Sequence, residues 1–184
     1  INQLFDSLNK NLPKNSDIFV DTGQNLCSSA LGLKRNKGAR IFSSWANSPM
    51  WYALPASLGA AIEENKRHTI CIIGDGAMRT ALSSLPNLRA MKGKVKIVLW
   101  DNQGYRTIID HLEKMHSGRR AAVTVDSGIP YFPMEKVLTS CDLEILNVKG
   151  DLDKEMEYFF SNDKIDVMIV SIDPSIRMIP NTAI

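Results

Sequence analysis

Short runs of Val, Ile, Leu and Phe recur along the chain, separated by longer stretches whose apolar residues return at helical spacing. The short runs predict strands over Asp17–Asp21, Ala39–Phe42, Thr69–Gly74, Val95–Trp100, Asp142–Leu146 and Asp166–Ser171. Between them, helices are predicted to start near Ile1, Gln24, Trp51, Ala77, Tyr105, Phe132 and Asp151, several behind a capping residue or a proline near the first turn. Strand and helix in alternation is the mark of βαβ units: a mostly parallel, doubly wound sheet of about six strands with helices on both faces. The fold class is therefore α/β.

The segment from Ser117 to Pro133 breaks the pattern. It contains Gly118, Gly128, Pro130 and Pro133 and predicts a long loop, the kind that often covers a functional site in such domains. No internal repeat, low-complexity tract or Gly/Ser linker divides the chain. Its 184 residues read as one domain, able to bury roughly 70% of its unfolded surface without a disulfide or metal staple.

Charge narrows the partners. Twenty-two Lys+Arg against 20 Asp+Glu leave a net +2, so neither nucleic acid nor a membrane surface is expected as the main partner. The one basic stretch, Lys34–Arg40, reads as a solvated loop. Cys27, Cys71 and Cys141 are odd in number and widely spaced, which fits a reducing compartment. With no signal-like N-terminus and no apolar run of 18 residues, a cytoplasmic protein is expected. The first residue is Ile rather than Met, so the chain reads as a piece cut from something longer.

In an open parallel sheet, ligands bind beyond the carboxyl ends of the strands. Four strand ends are informative: Asp21-Thr22-Gly23-Gln24-Asn25, Ser43 to Met50, Gly74-Asp75-Gly76-Ala77, and Asp101-Asn102-Gln103-Gly104-Tyr105. Asn102 follows Asp75 by 27 residues, about one βαβ repeat, which places both at corresponding ends of successive strands. A carboxylate, an amide oxygen and a backbone carbonyl are hard donors suited to Mg²⁺ or Ca²⁺. Gly74 and Gly76 let the backbone turn so that N–H groups face an anion. Metal and anion together describe a diphosphate site. Gly-Asp-Gly alone would be an ordinary turn; the matching Asp101-Asn102-x-Gly104-Tyr105 argues for a site. Neither a P-loop nor a G-x-G-x-x-G pattern occurs, and Asp21 lacks the paired aspartate of an aspartyl phosphatase.

These residues resemble the thiamine diphosphate-dependent enzymes, specifically the C-terminal cofactor-binding domain of acetolactate synthase-like members. The family motif G-D-G, then 25–30 residues, then N, matches Gly74-Asp75-Gly76 through Asn102. Ser48 to Ala61 resembles the family's M-G-Y-A-L-P-A-A-I-G-A-A helix entry, and Ile172-Asp173-Pro174 its last strand and exit. The resemblance implies that Asp75, Asn102 and the Gly104 carbonyl ligate Mg²⁺. It implies that backbone groups of Gly23, Gln24, Gly76 and Ala77 hold the diphosphate beside Gly74 and Tyr105. Met50 would lie under the cofactor and force its V shape, bringing the 4′-amino group to the reactive carbon, while the carbonyl near Ser48 accepts from that amino group. On the residues alone, Met50 reads equally as a plain core methionine.

The chain departs from the family where Trp51 replaces a usual Gly, a change expected to crowd the pyrimidine pocket, and at Ser84-Leu85-Pro86-Asn87. Arg79 and Arg106 are unusual neighbours for the site. The family's activating glutamate comes from a separate pyrimidine-binding domain, and nothing here replaces it: Glu63 and Glu64 read as surface. The resemblance thus implies a glutamate-bearing partner domain on the same or another chain, a homo-oligomer, and an isolated domain that is inactive. His68, His111 and His116 lack metal-ligand spacing, while Trp45, Trp100 and Cys71 read as packing. The expected reaction is decarboxylation of a small 2-oxo acid and transfer of the carbanion. Alternatives are decarboxylation alone, as in split sulfopyruvate decarboxylase-like enzymes, a non-catalytic cofactor-binding module, and, more distantly, a flavodoxin-like nucleotide binder.

Overall fold

Alternate residues on a strand face opposite sides of a sheet, and on the central strands here both sides are apolar. In a computed structural model that describes residues 1–35, 37–63 and 66–177, six strands form one all-parallel sheet in the order β2-β1-β3-β4-β6-β5. They are β1 Ser16–Val20, β2 Arg40–Phe42, β3 His68–Gly74, β4 Val95–Asp101, β5 Ile145–Asn147 and β6 Val167–Ser171. Among the described residues the α-helices are α1 Asn2–Asn11, α2 Gln24–Gly32, α3 Ala53–Ile62, α4 Asp75–Thr80, α5 Leu85–Ala90, α6 Arg106–Met115, α7 Met134–Ser140 and α8 Leu152–Ser161.

Two apolar layers result. Ile18, Val20, Ile70, Ile72, Val98, Trp100, Met168 and Val170 meet Leu4, Phe5 and Leu8 of α1, Leu26 of α2, and Met156 and Phe159 of α8. The intervening residues Phe19, Cys71, Ile73, Ile97, Leu99, Val167 and Ile169 meet α3, α4, α5 and α7. Trp100 is fully buried and tilted against Phe5, with ring centroids 5.7 Å apart. The architecture is the expected three-layer α/β/α with a doubly wound sheet. Because β1 leads outward to β2 and β3 leads the opposite way to β4, the strand order reverses between β1 and β3 and opens a crevice at their carboxyl ends.

Some boundaries differ from expectation. β5 starts at Ile145 rather than Asp142, because Asp142 adopts a left-handed φ of 63° and Glu144 is held by Asp166 Oδ2 before pairing begins. The helix expected from Ala77 is two helices, since Pro86 tolerates only a first helical turn and so opens α5. Residues 117–133 form the expected loop, tightened by one 3₁₀ turn at Val125–Ser127 and pinned by buried Val123 and Ile129.

Two readings are corrected. Trp45 is 57% exposed and packs in no core. Arg40, read both as the end of the basic loop and as part of the Ala39–Phe42 strand, belongs to β2 as the strand reading has it, and its guanidinium holds Asp17; Asn36, in the same basic stretch, lies outside the described residues, as does Glu64. Glu63 is exposed, as expected. Cys27, Cys71 and Cys141 are free thiols, and among the described residues no helix is long and apolar enough to cross a membrane.

Candidate functional site

A cavity of about 360 Å³ occupies the crevice beyond β1, β3 and β4. Gly23, Gln24, Ser48, Met50, Gly74, Asp75, Gly76, Ala77, Asn102, Gly104 and Tyr105 all line it, so residues up to 82 positions apart in the chain meet at one place. Thr22, Asn25, Arg106, Thr107 and Ile108 complete the wall. Helices α2, α4 and α6 begin at this wall, and the free N–H groups of helix starts favour a negatively charged ligand.

The strand ends are held apart by specific contacts. Asn25 Nδ2 donates to Asp21 O at 2.9 Å and to Ile72 O at 3.4 Å, bridging β1 and β3 where they diverge. Gly76 permits a close approach: a Cβ there would lie 2.4 Å from Tyr105 Cε1. Gly104 has φ +138° and faces the loop, where a Cβ would meet Val123 O at 2.3 Å, while Tyr105 N donates to the same carbonyl at 3.0 Å. The 117–133 loop thus covers the Gly104 turn directly.

Two oxygens face the side-chain oxygen of Asn102. Asn102 Oδ1 lies 3.0 Å from Asp75 Oδ1 and 2.8 Å from the Gly104 carbonyl oxygen. Turned the other way, Asn102 Nδ2 would donate to both, but its oxygen would then face Gln24 Oε1 at 2.9 Å. Gln24 opposes that turn, because its own Nε2 donates to Ile176 O at 2.9 Å and its Oε1 accepts from Asn102 Nδ2 at 2.9 Å. Adjacent ligand oxygens of an octahedral Mg²⁺ at 2.0–2.1 Å lie about 2.9 Å apart. The spacing and donor set therefore fit this ion. Asp75 Oδ2 also accepts from Gly104 N at 3.1 Å, and burial, with Asp101 nearby, pushes its carboxyl up to about 6. Among the described residues no group of three His, Cys, Asp or Glu is placed to hold a metal.

Thr107 Oγ1 is buried in the cavity wall and makes no hydrogen bond among the described residues. Arg106 Nε donates to Asn102 O at 2.6 Å, so this arginine braces the turn rather than disturbing the site. Arg79 is not on the wall and lies over the Phe132 ring, 5.3 Å from its centroid.

Met50 is 38% exposed and lines the cavity, which removes its reading as a core methionine. Its turn is strained, with left-handed φ of 42° at Ser48 and 66° at Trp51. Position 51 is thus one that favours glycine. The Trp51 side chain is 53% exposed and does not line the cavity, so the expected crowding is not found. Asp21 was not among the expected site residues, yet it holds this turn: its carboxylate accepts from Trp51 N at 3.1 Å, Ala53 N at 2.8 Å and Thr22 N at 3.0 Å. Burial pushes Asp21 up to about 6 against those backbone bonds. His111 and His116 are exposed with ring centroids 5.8 Å apart, His68 opens β3 at the opposite end of the sheet, and none reaches the cavity.

The sequence is also similar to known proteins. The profile of the family described as "Thiamine pyrophosphate enzyme, C-terminal TPP binding domain" matches residues 21–170. An acetolactate synthase large subunit of Buchnera aphidicola is 30% identical over 112 residues, 61% of this chain and 20% of the relative. The acetolactate synthase isozyme 2 large subunit of Escherichia coli is 22% identical over 170 residues, 92% of this chain and 31% of the relative. A pyruvate decarboxylase of Neurospora crassa is 29% identical over 94 residues, 51% and 16% respectively. The chain spans less than a third of the length of these relatives. With the family profile running from the end of β1 to β6, across every strand end that builds the cavity, the chain belongs to the thiamine pyrophosphate enzymes, as a C-terminal TPP-binding domain.

Proposed function

We propose that this chain binds thiamine diphosphate through Mg²⁺ and serves the decarboxylation of a small 2-oxo acid and transfer of the resulting carbanion, as acetolactate synthase-like proteins do. The observation that carries the reading is the Asn102 side-chain oxygen facing Asp75 Oδ1 and the Gly104 carbonyl at distances that neighbouring ligands of a magnesium octahedron have. When bound, the cofactor supplies a nucleophilic carbon and an electron sink. The chain's own residues supply position. Asp75, Asn102 and the Gly104 carbonyl hold the ion, and backbone groups of Gly23, Gln24, Gly76 and Ala77, with the unpartnered Thr107 hydroxyl, hold the diphosphate. Met50 supports the bent cofactor, and the carbonyl near Ser48 accepts from its amino group. Asp21 keeps Met50 in place by fixing the turn after it.

The pyrimidine-activating glutamate comes from a partner domain on the same or another chain, in a homo-oligomer, and the isolated domain is inactive. Decarboxylation with a proton as acceptor is a second reading, favoured by the similarity to a pyruvate decarboxylase. A non-catalytic module loses its steric argument, because Trp51 stands outside the cavity.

Calorimetric titration of thiamine diphosphate with and without Mg²⁺ tests the proposal, on the wild type and on Asp75→Ala, each with the partner domain present. Binding that requires Mg²⁺ and disappears in Asp75→Ala is expected. Binding insensitive to a chelator would overturn it in favour of a flavodoxin-like nucleotide binder, and no binding by the wild type would overturn it together with the cofactor-binding module.

A further inference from the structure

We propose that Gln24 is a positioning residue whose side chain decides which atom of Asn102 faces the cation, and that the carbonyl of Ile176 fixes Gln24 in the orientation that makes this choice. The inference rests on the cofactor reading above and goes beyond the backbone contact assigned to Gln24 there.

An amide presents two ends of nearly the same shape, and only its oxygen ligates a hard cation. Without a cation, Asn102 has a reason to turn its nitrogen inward, because Nδ2 would donate to Gly104 O at 2.8 Å and Asp75 Oδ1 at 3.0 Å. What opposes this lies on the outer side. Gln24 Oε1, 2.9 Å away, needs a donor and accepts from Asn102 Nδ2 only while the Asn102 oxygen points inward. Gln24 would have to turn as well to accommodate the reversed amide. Its Nε2 is bound to Ile176 O at 2.9 Å, and a carbonyl only accepts, so turning Gln24 would set two oxygens face to face.

A directional chain of hydrogen bonds thus runs from a backbone carbonyl through Gln24 to the metal ligand. Gln24 is 2% exposed and Asn102 7%, so water has little access to replace either contact. The Ile176 end is itself anchored. Ile176 N donates to Asp173 O at 3.1 Å, and Arg177 pairs with Asp110 and Glu113 on α6, the helix whose first turn lines the cavity. Contacts behind a metal ligand commonly set metal affinity by a factor of roughly 10–100.

The test is a double-variant cycle read as Mg²⁺ affinity by calorimetry at saturating thiamine diphosphate, with the partner domain present. Gln24→Met keeps the volume and removes both hydrogen bonds. It is expected to weaken Mg²⁺ binding roughly 10- to 100-fold. In an Asn102→Asp background, either end of the side chain offers an oxygen and one of them faces Gln24 Oε1, so adding Gln24→Met should cause no loss of Mg²⁺ affinity. An equal loss in both backgrounds would overturn the inference, since a purely structural role or a direct diphosphate contact predicts that result. No change with Gln24→Met alone would overturn it too. Absence of Mg²⁺-dependent binding by the wild type would instead remove the cofactor reading, and this inference with it. A readout needing no variant comes from NMR of the metal-free protein. Nuclear Overhauser contacts from the Asn102 Nδ2 protons to the Gln24 side chain are expected, whereas contacts to Gly104 and Asp75 would overturn the inference.

Discussion

Two buried aspartates flank strand β1, and the protein treats them in opposite ways. Asp17 sits at the amino end, where Arg40 and Arg67 both reach it: Arg40 Nε and Arg67 Nε each lie 2.7 Å from Oδ1. Burial alone would raise its carboxyl, but the hydrogen bonds and charges of the two arginines outweigh this and hold it below its ordinary value. Asp21, just past the carboxyl end, has no cation among the causes that set its carboxyl in the described residues. Three backbone N–H groups stabilise it, and its carboxyl still sits near 6. Charge answered by charge makes a fixed joint, whereas charge answered only by peptide dipoles keeps its ability to change. The first belongs to the scaffold. The second belongs to the end of the sheet where the cavity opens.

The largest effect expected from this contrast is on Asp17. Asp17→Ala removes the carboxylate that two arginines share and should cost roughly 2–3 kcal/mol, discounted because Arg40 is half exposed. That corresponds to a melting temperature lower by roughly 4–12 °C in a chain of this size. Cofactor affinity of the folded protein should be unchanged, and a parallel loss of affinity would break the division between the two ends.

An intermediate effect is expected from pH. Asp21 and Asp75 both have folded values near 6, above the ordinary 3.8, so between those values the metal-free folded chain binds more protons than the unfolded one. Their contribution to stability therefore grows as pH falls from about 6 to 4. Asp17 has the opposite sign: its contribution is present above its ordinary value and is lost as pH falls below it. Urea unfolding across pH 3–7 should show a rise and then a fall, and Asp21→Asn should flatten the rise by roughly 1–2 kcal/mol. A profile unchanged by Asp21→Asn would mean that Asp21 does not titrate there.

The smallest effect sharpens the account of the Met50 turn. Trp51 holds a left-handed φ of 66° with its side chain half exposed, so Trp51→Gly should relieve about 1 kcal/mol of strain and raise the melting temperature by roughly 2–4 °C. A lower melting temperature would show that the indole contributes packing after all.

Much of the site is legible in the sequence because its chemistry sits at strand ends. Apolar runs mark where β1, β3 and β4 stop, and Gly74-Asp75-Gly76 and Asn102-x-Gly104 stand immediately beyond. What escapes the sequence depends on contacts between distant segments. Nothing near Asp21 announces that α3, some thirty residues later, folds its first turn onto that carboxylate. The same holds for Gln24 and Ile176, 152 residues apart, and for Thr107, whose missing partner appears only once the cavity closes around it. Trp51 was visible as an oddity, but its meaning lies in a backbone angle. At the sheet edge, the late start of β5 reflects Asp166 reaching across to Glu144 N, which no local pattern in 142–146 contains.

The placement of the three tryptophans gives the protein two optical signals. Trp100, wholly enclosed in the core, should emit toward the blue and shift red only when the sheet opens, while Trp51, solvated beside Met50, should respond to events at the cavity mouth. Trp45 is also solvated, and Trp45→Phe would leave Trp51 as the one exposed reporter among the described residues. Fluorescence at two wavelengths would then follow loss of the scaffold and occupation of the site separately, in one unlabelled sample.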